Sequence, residues 1–319
     1  TYLAKKVFGS DYANMNMISG HITNISTILG ISGPGSKIMC TNPAFGGYPG
    51  LAKEKLPESL DIGVEYIPQN NLCEINEDSA LDKIDSYRPN IVMLTSSMTV
   101  FPQNFSKISK LCRSLNIPVC YDASHPLGLI AGKKYQQPFN DGADLVVGST
   151  HKSFPGPQGG IILANKYYEK IEENDHFVSV DNPHFNRIAS LSITLSEMEK
   201  FGQDYASQIV KNSKKLAQSL KEEGLPVLYE DRDFTESHQV LLDCFPDYKK
   251  FTKTLEMNNI ITDNSGRIGT SEMTRYGMRE PEMEQIASLI GDIFNKKSDS
   301  KFNKDIDNMR NDFSEVLFC

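Results

Sequence analysis

Short apolar runs alternate along the chain with segments whose apolar residues recur at helical spacing, and this alternation predicts its elements. Leu3, Ala4, Val7 and Phe8 share one helical face that Gly9 ends. Ser19, Gly20 and His21 open a second helix with Ile22, Ile25, Ile28 and Leu29 as its apolar face. A short strand at 38–40 leads into the loop NPAFGGYPG at 42–50, and a buried strand at 91–94 is followed by Ser96 and Ser97. Residues 104–116 carry Phe105, Ile108, Leu111, Cys112 and Leu115, a helix, and strands follow at 117–121 and 143–148. Strands separated by helices predict a parallel α/β sheet, whose ligands sit at the carboxyl ends of the strands.

A long amphipathic pattern over 191–220 runs through Leu195, Met198, Phe201, Tyr205, Ile209 and Leu216, with Gly202 interrupting it. It predicts a helix bridging into a smaller C-terminal α/β domain, and its Met and aromatic stripe reads as core. In that domain a strand is expected at 239–243, a helix at 248–258, a strand at 260–262 and a further block at 267–277. The expected division is a large domain, 1–200, that binds the cofactor, and a small domain, 201–319. The tail at 299–311 has a helical charged pattern, and FSEVLFC reads as a natural end.

Composition narrows the partners. With 319 residues the chain can bury a substantial core, and 33 Lys+Arg against 41 Asp+Glu with no long basic run argues against a nucleic-acid partner or an anionic membrane surface. No apolar stretch is long enough to span a bilayer, and the opening TYLAKKVFGSDYANM lacks a signal-peptide core, which predicts a cytoplasmic protein. Cys40, Cys73, Cys112, Cys120, Cys244 and Cys319 are widely spaced, without C-x-x-C, so reduced and mostly buried thiols are expected. The sequons at Asn24 and Asn104 are then silent.

Candidate chemistry lies at two successive strand ends: Asp122, Ser124 and His125 after one, and Ser149 to Lys152 after the next. Asp122 and Lys152 are therefore predicted to reach one pocket. A desolvated lysine can form a Schiff base with an aldehyde cofactor, and a carboxylate facing a pyridine nitrogen keeps it protonated, which turns the ring into an electron sink. Together these roles describe a pyridoxal phosphate enzyme. Taken singly, a His-Lys pair is usually solvated surface and an Asp after a strand a turn or cap. Their joint placement amid Gly, Ser, Thr and Pro carries the reading. The helix start at Ser19, Gly20 and His21 suits a phosphate, with a plain Ser N-cap as the alternative. GISGPGSK at 30–37 imitates a P-loop, but Lys37 is displaced by one residue and the segment follows a helix. Asp122 and His125 lack a third ligand at a suitable spacing, so no metal is predicted.

The blocks YDASHPLGLIAG at 121–132 and GADLVVGSTHKSFPGPQGG at 142–160 closely resemble serine hydroxymethyltransferase, especially its archaeal-type branch. Similarity continues through 191–224 and through RIGTSEMTRYGM at 267–278. The resemblance implies the pyridoxal phosphate-dependent transferase fold type I, aspartate aminotransferase-like, with a large parallel-sheet domain and a small C-terminal α/β domain. It implies Lys152 as the Schiff-base lysine, Asp122 on the ring nitrogen and His125 against the ring or its phenolic oxygen. Ser19, Gly20, His21 and Ser149 would bind phosphate, with His21 replacing a hydroxyl residue of the family. Ser97 would contact the cofactor, His151 adjoins Lys152, and Tyr48 stands where a family histidine stacks on the ring. Arg275 matches the arginine that grips the substrate carboxylate through a bidentate fork.

The implied activity is interconversion of serine and glycine with tetrahydrofolate as one-carbon acceptor, in a homodimer acting on a small amino acid. Three departures stand against the family pattern. Nothing corresponds to the segment, carrying a glutamate and tyrosines, that precedes the first helix and reaches into the partner's site. Residues 262–266 form a shorter loop than the family's folate-contacting one. Asp181, Asn182, Pro183 and His184 replace a Gly-Gly phosphate contact from the neighbouring subunit. The first two remove family folate contacts, so a folate-independent aldolase, transaldolase or related amino-acid enzyme is the runner-up, and a non-catalytic homologue acting as a binding or regulatory subunit is the second alternative.

Overall fold

The apolar runs Ile91–Leu94, Val119–Asp122 and Leu145–Ser149 are buried at every position, which requires a sheet covered on both faces. The computed structural model describes residues 1–175, 179–243, 245–295 and 302–318. Its strands are β1 (Tyr12–Asn14), β2 (Lys37–Thr41), β3 (Gly63–Ile67), β4 (Gln69–Asn71), β5 (Glu74–Ile75), β6 (Ile91–Leu94), β7 (Val119–Asp122), β8 (Leu145–Ser149), β9 (Gly160–Ala164), β10 (Gln239–Leu241) and β11 (Arg267–Gly269). Its α-helices are α1 (Tyr2–Phe8), α2 (Gly20–Ile31), α3 (Leu56–Ser59), α4 (Glu77–Tyr87), α5 (Ser106–Ser114), α6 (Leu127–Ala131), α7 (Tyr168–Asp175), α8 (Phe185–Glu222), α9 (Tyr248–Met257), α10 (Ser271–Arg275), α11 (Glu280–Phe294) and α12 (Phe302–Asp312).

Two compact units divide the chain, Thr1–Lys200 and Phe201–Cys319, with α8 running through the division. In the first unit seven strands lie in the order β1-β9-β8-β7-β6-β2-β3. β3, β2, β6, β7 and β8 are parallel, whereas β9 pairs antiparallel with β8 and β1 antiparallel with β9. The sheet is thus mainly parallel, with an antiparallel edge that the apolar pattern did not reveal. One core cluster joins Ile38, Ile91, Met93, Leu145 and Ile162 of the sheet to Ile28 of α2.

α2 does not present the face that its isoleucines suggest. Thr23, Asn24, Ser26 and Thr27 are buried, while Ile22, Ile25 and Leu29 are only half-buried. Small polar residues let the helix approach β8 and β9 closely, and Asn24 reaches through to a carboxylate on β7.

In the second unit, β10 and β11 pair antiparallel over Gln239↔Gly269 to Leu241↔Arg267. The expected strand at 260–262 does not form. Ile261 is 86% exposed there, and Tyr248 Oη donates to Asp263 O at 3.2 Å, so the chain turns back before pairing. The sheet partner of β10 is instead the start of the 267–277 block. The expected tail helix is α12, and residues 299–301 of that expectation lie outside the described residues. Cys40, Cys73, Cys112 and Cys120 are buried and form no disulfide among the described residues, while Cys244 and Cys319 lie outside them. Lys37 starts β2 and sits over the Tyr87 ring, 5.2 Å from its centroid, rather than in a phosphate loop. No described helix is long and apolar enough to cross a membrane.

Candidate active site

The parallel strands β2, β6, β7 and β8 deliver their carboxyl ends to one edge of the sheet, and the amino end of α2 meets them there. A cavity at this point is lined by Gly20, His21, Asn24, Tyr48, Ser96, Ser97, Asp122, Ser124, His125, Ser149 and Lys152. Its enclosed space is small, about 70 Å³, so it reads as the floor of an open cleft. A larger hollow of about 480 Å³ lies elsewhere in the first unit, between Met15, Tyr168 and Ile188. That hollow has no lysine among its lining residues and does not suit an aldehyde cofactor.

Each wall of the cleft has a local cause. Ser19 caps α2 in extended conformation, and its hydroxyl accepts from Ile22 N at 3.2 Å. The remaining amides of that first turn carry the positive end of the helix dipole. Gly20 is needed because a Cβ there would collide with the Ser149 hydroxyl and lie 2.8 Å from the Ser124 hydroxyl. Two hydroxyls and a helix start therefore converge on one point, a cradle for an anion.

Tyr48 is placed by its backbone. Tyr48 N donates to Thr95 O at 2.7 Å and Ser97 N donates to Gly46 O at 2.7 Å, which pins the 42–50 loop across the end of β6. The Tyr48 hydroxyl lies 3.0 Å from His21 Nδ1. Burial, with the Asp122 charge, pushes the Tyr48 phenol above its ordinary value, so it stays protonated at neutral pH.

Asp122 is 5% exposed and doubly held: Asn24 Nδ2 donates to Oδ2 at 2.9 Å, and Ser124 N donates to Oδ1 at 2.9 Å. Asn24 is 1% exposed, and its Oδ1 is a buried acceptor with no partner in the protein. Lys152 Nζ lies 3.2 Å from His125 Nε2, and Ser153 Oγ donates to the His125 carbonyl, tying the two strand-end loops together. Lys152 is exposed within this chain, so its own loop does not supply the desolvation expected from the sequence.

Eight predicted residues thus line one cleft: Gly20, His21, Tyr48, Ser97, Asp122, His125, Ser149 and Lys152. Ser19 acts from behind as the helix cap. His151 is not among the lining residues; its Nδ1 accepts from Gly159 N at 3.4 Å, and burial together with the Lys152 charge lowers its pKa. Arg275 lies in the second unit, where Nη1 donates to Phe318 O at 2.7 Å. Sequence reasoning missed Asn24, and it noted Ser96 and Ser124 at their strand ends without giving either a role. Asn24 registered only as a silent sequon, although a polar residue amid the isoleucines of a helix was a signal that this side faces something polar.

The cleft fits pyridoxal phosphate by the chemistry of its donors. It offers a lysine amine, a buried carboxylate already oriented by two hydrogen bonds, and an anion cradle whose glycine leaves room. No group of three or more His, Cys, Asp or Glu among the described residues is arranged to hold a metal.

Comparison with known proteins agrees. The family model described as serine hydroxymethyltransferase matches residues 2–290. A serine hydroxymethyltransferase of Methanosphaera stadtmanae is 37% identical over 336 residues, covering 99% of this chain and 79% of its own. That of Methanobrevibacter smithii is 41% identical over 309 residues, covering 90% of this chain and 73% of its own. The crystal structure of L-threonine transaldolase from Pseudomonas fluorescens, in the internal aldimine state, superposes with a TM-score of 0.92 at 27% identity, covering 99% of this chain and 76% of that one. The fold is that of the type I pyridoxal phosphate-dependent transferases. With a family model spanning nearly all its length and relatives of this identity, the chain belongs to the serine hydroxymethyltransferase family.

Proposed function

We propose that this protein is a pyridoxal phosphate-dependent hydroxymethyltransferase that interconverts serine and glycine, with tetrahydrofolate as the one-carbon acceptor. The observation that carries the reading is the convergence of Lys152, His125 and the doubly held Asp122 beside the anion cradle of α2. The cofactor, when bound, supplies a ring that takes up electrons from a bond at the substrate's Cα.

The chain's own residues do the rest. Lys152 Nζ would hold the cofactor through its aldehyde until a substrate amine takes its place. His125 Nε2, 3.2 Å away, is placed to share the proton of Nζ. Asp122 would face the pyridine nitrogen with its carboxylate, which Asn24 and Ser124 N keep from turning away. The first-turn amides of α2, with Ser124 and Ser149, would bind the phosphate, and the Tyr48–His21 pair would border the ring. Arg275 binds the substrate carboxylate and so selects α-amino acids. We further place the protein in the cytoplasm, where four buried thiols outside any disulfide stay reduced, and assign it a homodimer as its working form.

Borohydride reduction of the holoenzyme followed by peptide mass mapping should find the pyridoxyl group on Lys152. Glycine should form from serine only when tetrahydrofolate is present. A label on another lysine would overturn the assignment of Lys152. The likeness to a threonine transaldolase supports a second reading, and transfer to an aldehyde without folate would replace the first reading with it.

A further inference from the structure

Within the second unit, residues 313–318 follow α12 and run along the block that carries Arg275. Leu317 N donates to Arg275 O at 2.8 Å, and Arg275 Nη1 donates to Phe318 O at 2.7 Å, so one arginine is tied to this segment through both backbone and side chain. The Phe318 ring lies 5.5 Å from that of Tyr205, tilted by 49°. Tyr205 is itself 1% exposed, and its hydroxyl donates to Ser271 O at 3.1 Å in the helix that ends at Arg275. Gly277 makes the passage possible: at φ +90 it suits glycine, and a Cβ there would lie 2.6 Å from Leu317 Cδ1.

A flexible arginine loses rotamer freedom when it closes on a carboxylate, and that loss weakens binding. One already held by a carbonyl has lost part of that freedom beforehand. The guanidinium carries five N–H donors in a rigid fork, so a bond from Nη1 to a carbonyl is compatible with a two-point grip on a carboxylate.

We propose that residues 313–318 are a positioning strap that presets Arg275 for the carboxylate of the amino-acid substrate. The inference rests on the reading of Arg275 as the carboxylate-binding residue. The strap makes no contact of its own with the substrate; it acts through the arginine.

The test uses the holoenzyme with Leu317→Pro, which removes the amide donor, and Phe318→Ala, which removes the ring packed on Tyr205. KM for serine and the dissociation constant of glycine should rise roughly three- to tenfold, the cost of ordering one long side chain on binding, while kcat and cofactor affinity change by less than about twofold. In an Arg275→Ala background, adding Leu317→Pro should raise KM no further, because the strap acts only through the arginine. An unchanged KM in both single variants overturns the proposal. So does a lowered KM, which would make the Phe318 carbonyl a competitor of the substrate. Should Leu317→Pro lower the melting temperature and kcat together, Phe318→Ala decides. If Arg275→Ala alone leaves amino-acid affinity intact, the carboxylate reading itself fails, an outcome distinct from failure of the strap.

Discussion

Asn24→Ala would remove the side-chain donor that holds Asp122 Oδ2 at 2.9 Å and leave the carboxylate held by Ser124 N on Oδ1. Asn24 is 1% exposed and Asp122 5% exposed, so water is poorly placed to replace the lost donor. A hydrogen bond to a charged group contributes about 1.5–3 kcal/mol, which corresponds to a loss of roughly tenfold to a hundredfold in any equilibrium that depends on it. The equilibrium in question is cofactor binding, because in the proposed site Asp122 keeps its carboxylate aimed at the ring nitrogen. Titrating the apoprotein with pyridoxal phosphate and following the visible absorption of the bound form measures it directly. Asn24→Asp sharpens the test, since it keeps the shape and sets a second carboxylate against Asp122. Its affinity should fall below that of Asn24→Ala, by the repulsion of two like charges in a buried place. Should both variants bind cofactor as tightly as the parent, the role given to Asn24 is refuted.

Two further predictions concern stability. Asn212 is fully buried and donates through Nδ2 to Thr274 Oγ1 at 2.8 Å and to Met278 O at 2.9 Å. Asn212→Leu should destabilise the second unit by about 1–3 kcal/mol, the cost of stranding buried polar groups, measured by chemical denaturation with α8 and α10 probed separately. Burial and the Lys152 charge lower the pKa of His151, although the bond from Gly159 N opposes them. The unfolded chain then takes up that proton first as pH falls. The stability associated with neutral His151 is therefore fully present above the ordinary histidine value of about 6.5 and is lost as pH drops toward and through its lower folded value. Urea unfolding at pH 8, 6 and 5 should show a shallower dependence for His151→Gln, and identical slopes would contradict the assignment.

Much of this protein was decided by local pattern. Buried apolar runs at 91–94, 117–121 and 143–148 specify central strands because only a sheet covered on both faces buries every residue of such a run. Asp122 and Lys152 are paired by the sequence alone, since parallel strands end on one edge and successive strand ends are neighbours. Gly20 was legible as part of a helix start.

Tertiary structure decided what depends on contacts distant in sequence. β9 reverses against β8, and no spacing within 160–164 records that direction. α2 turns its small polar side inward because close approach to β8 and β9 and the carboxylate of Asp122 together outweigh its isoleucines. The strand expected at 260–262 failed because β-propensity needs a partner, and β10 finds its own at 267–269. Asn24, 98 residues before Asp122, came to hold that carboxylate only once α2 packed on β8 and β9, since a hydrogen bond is set by distance and direction in space.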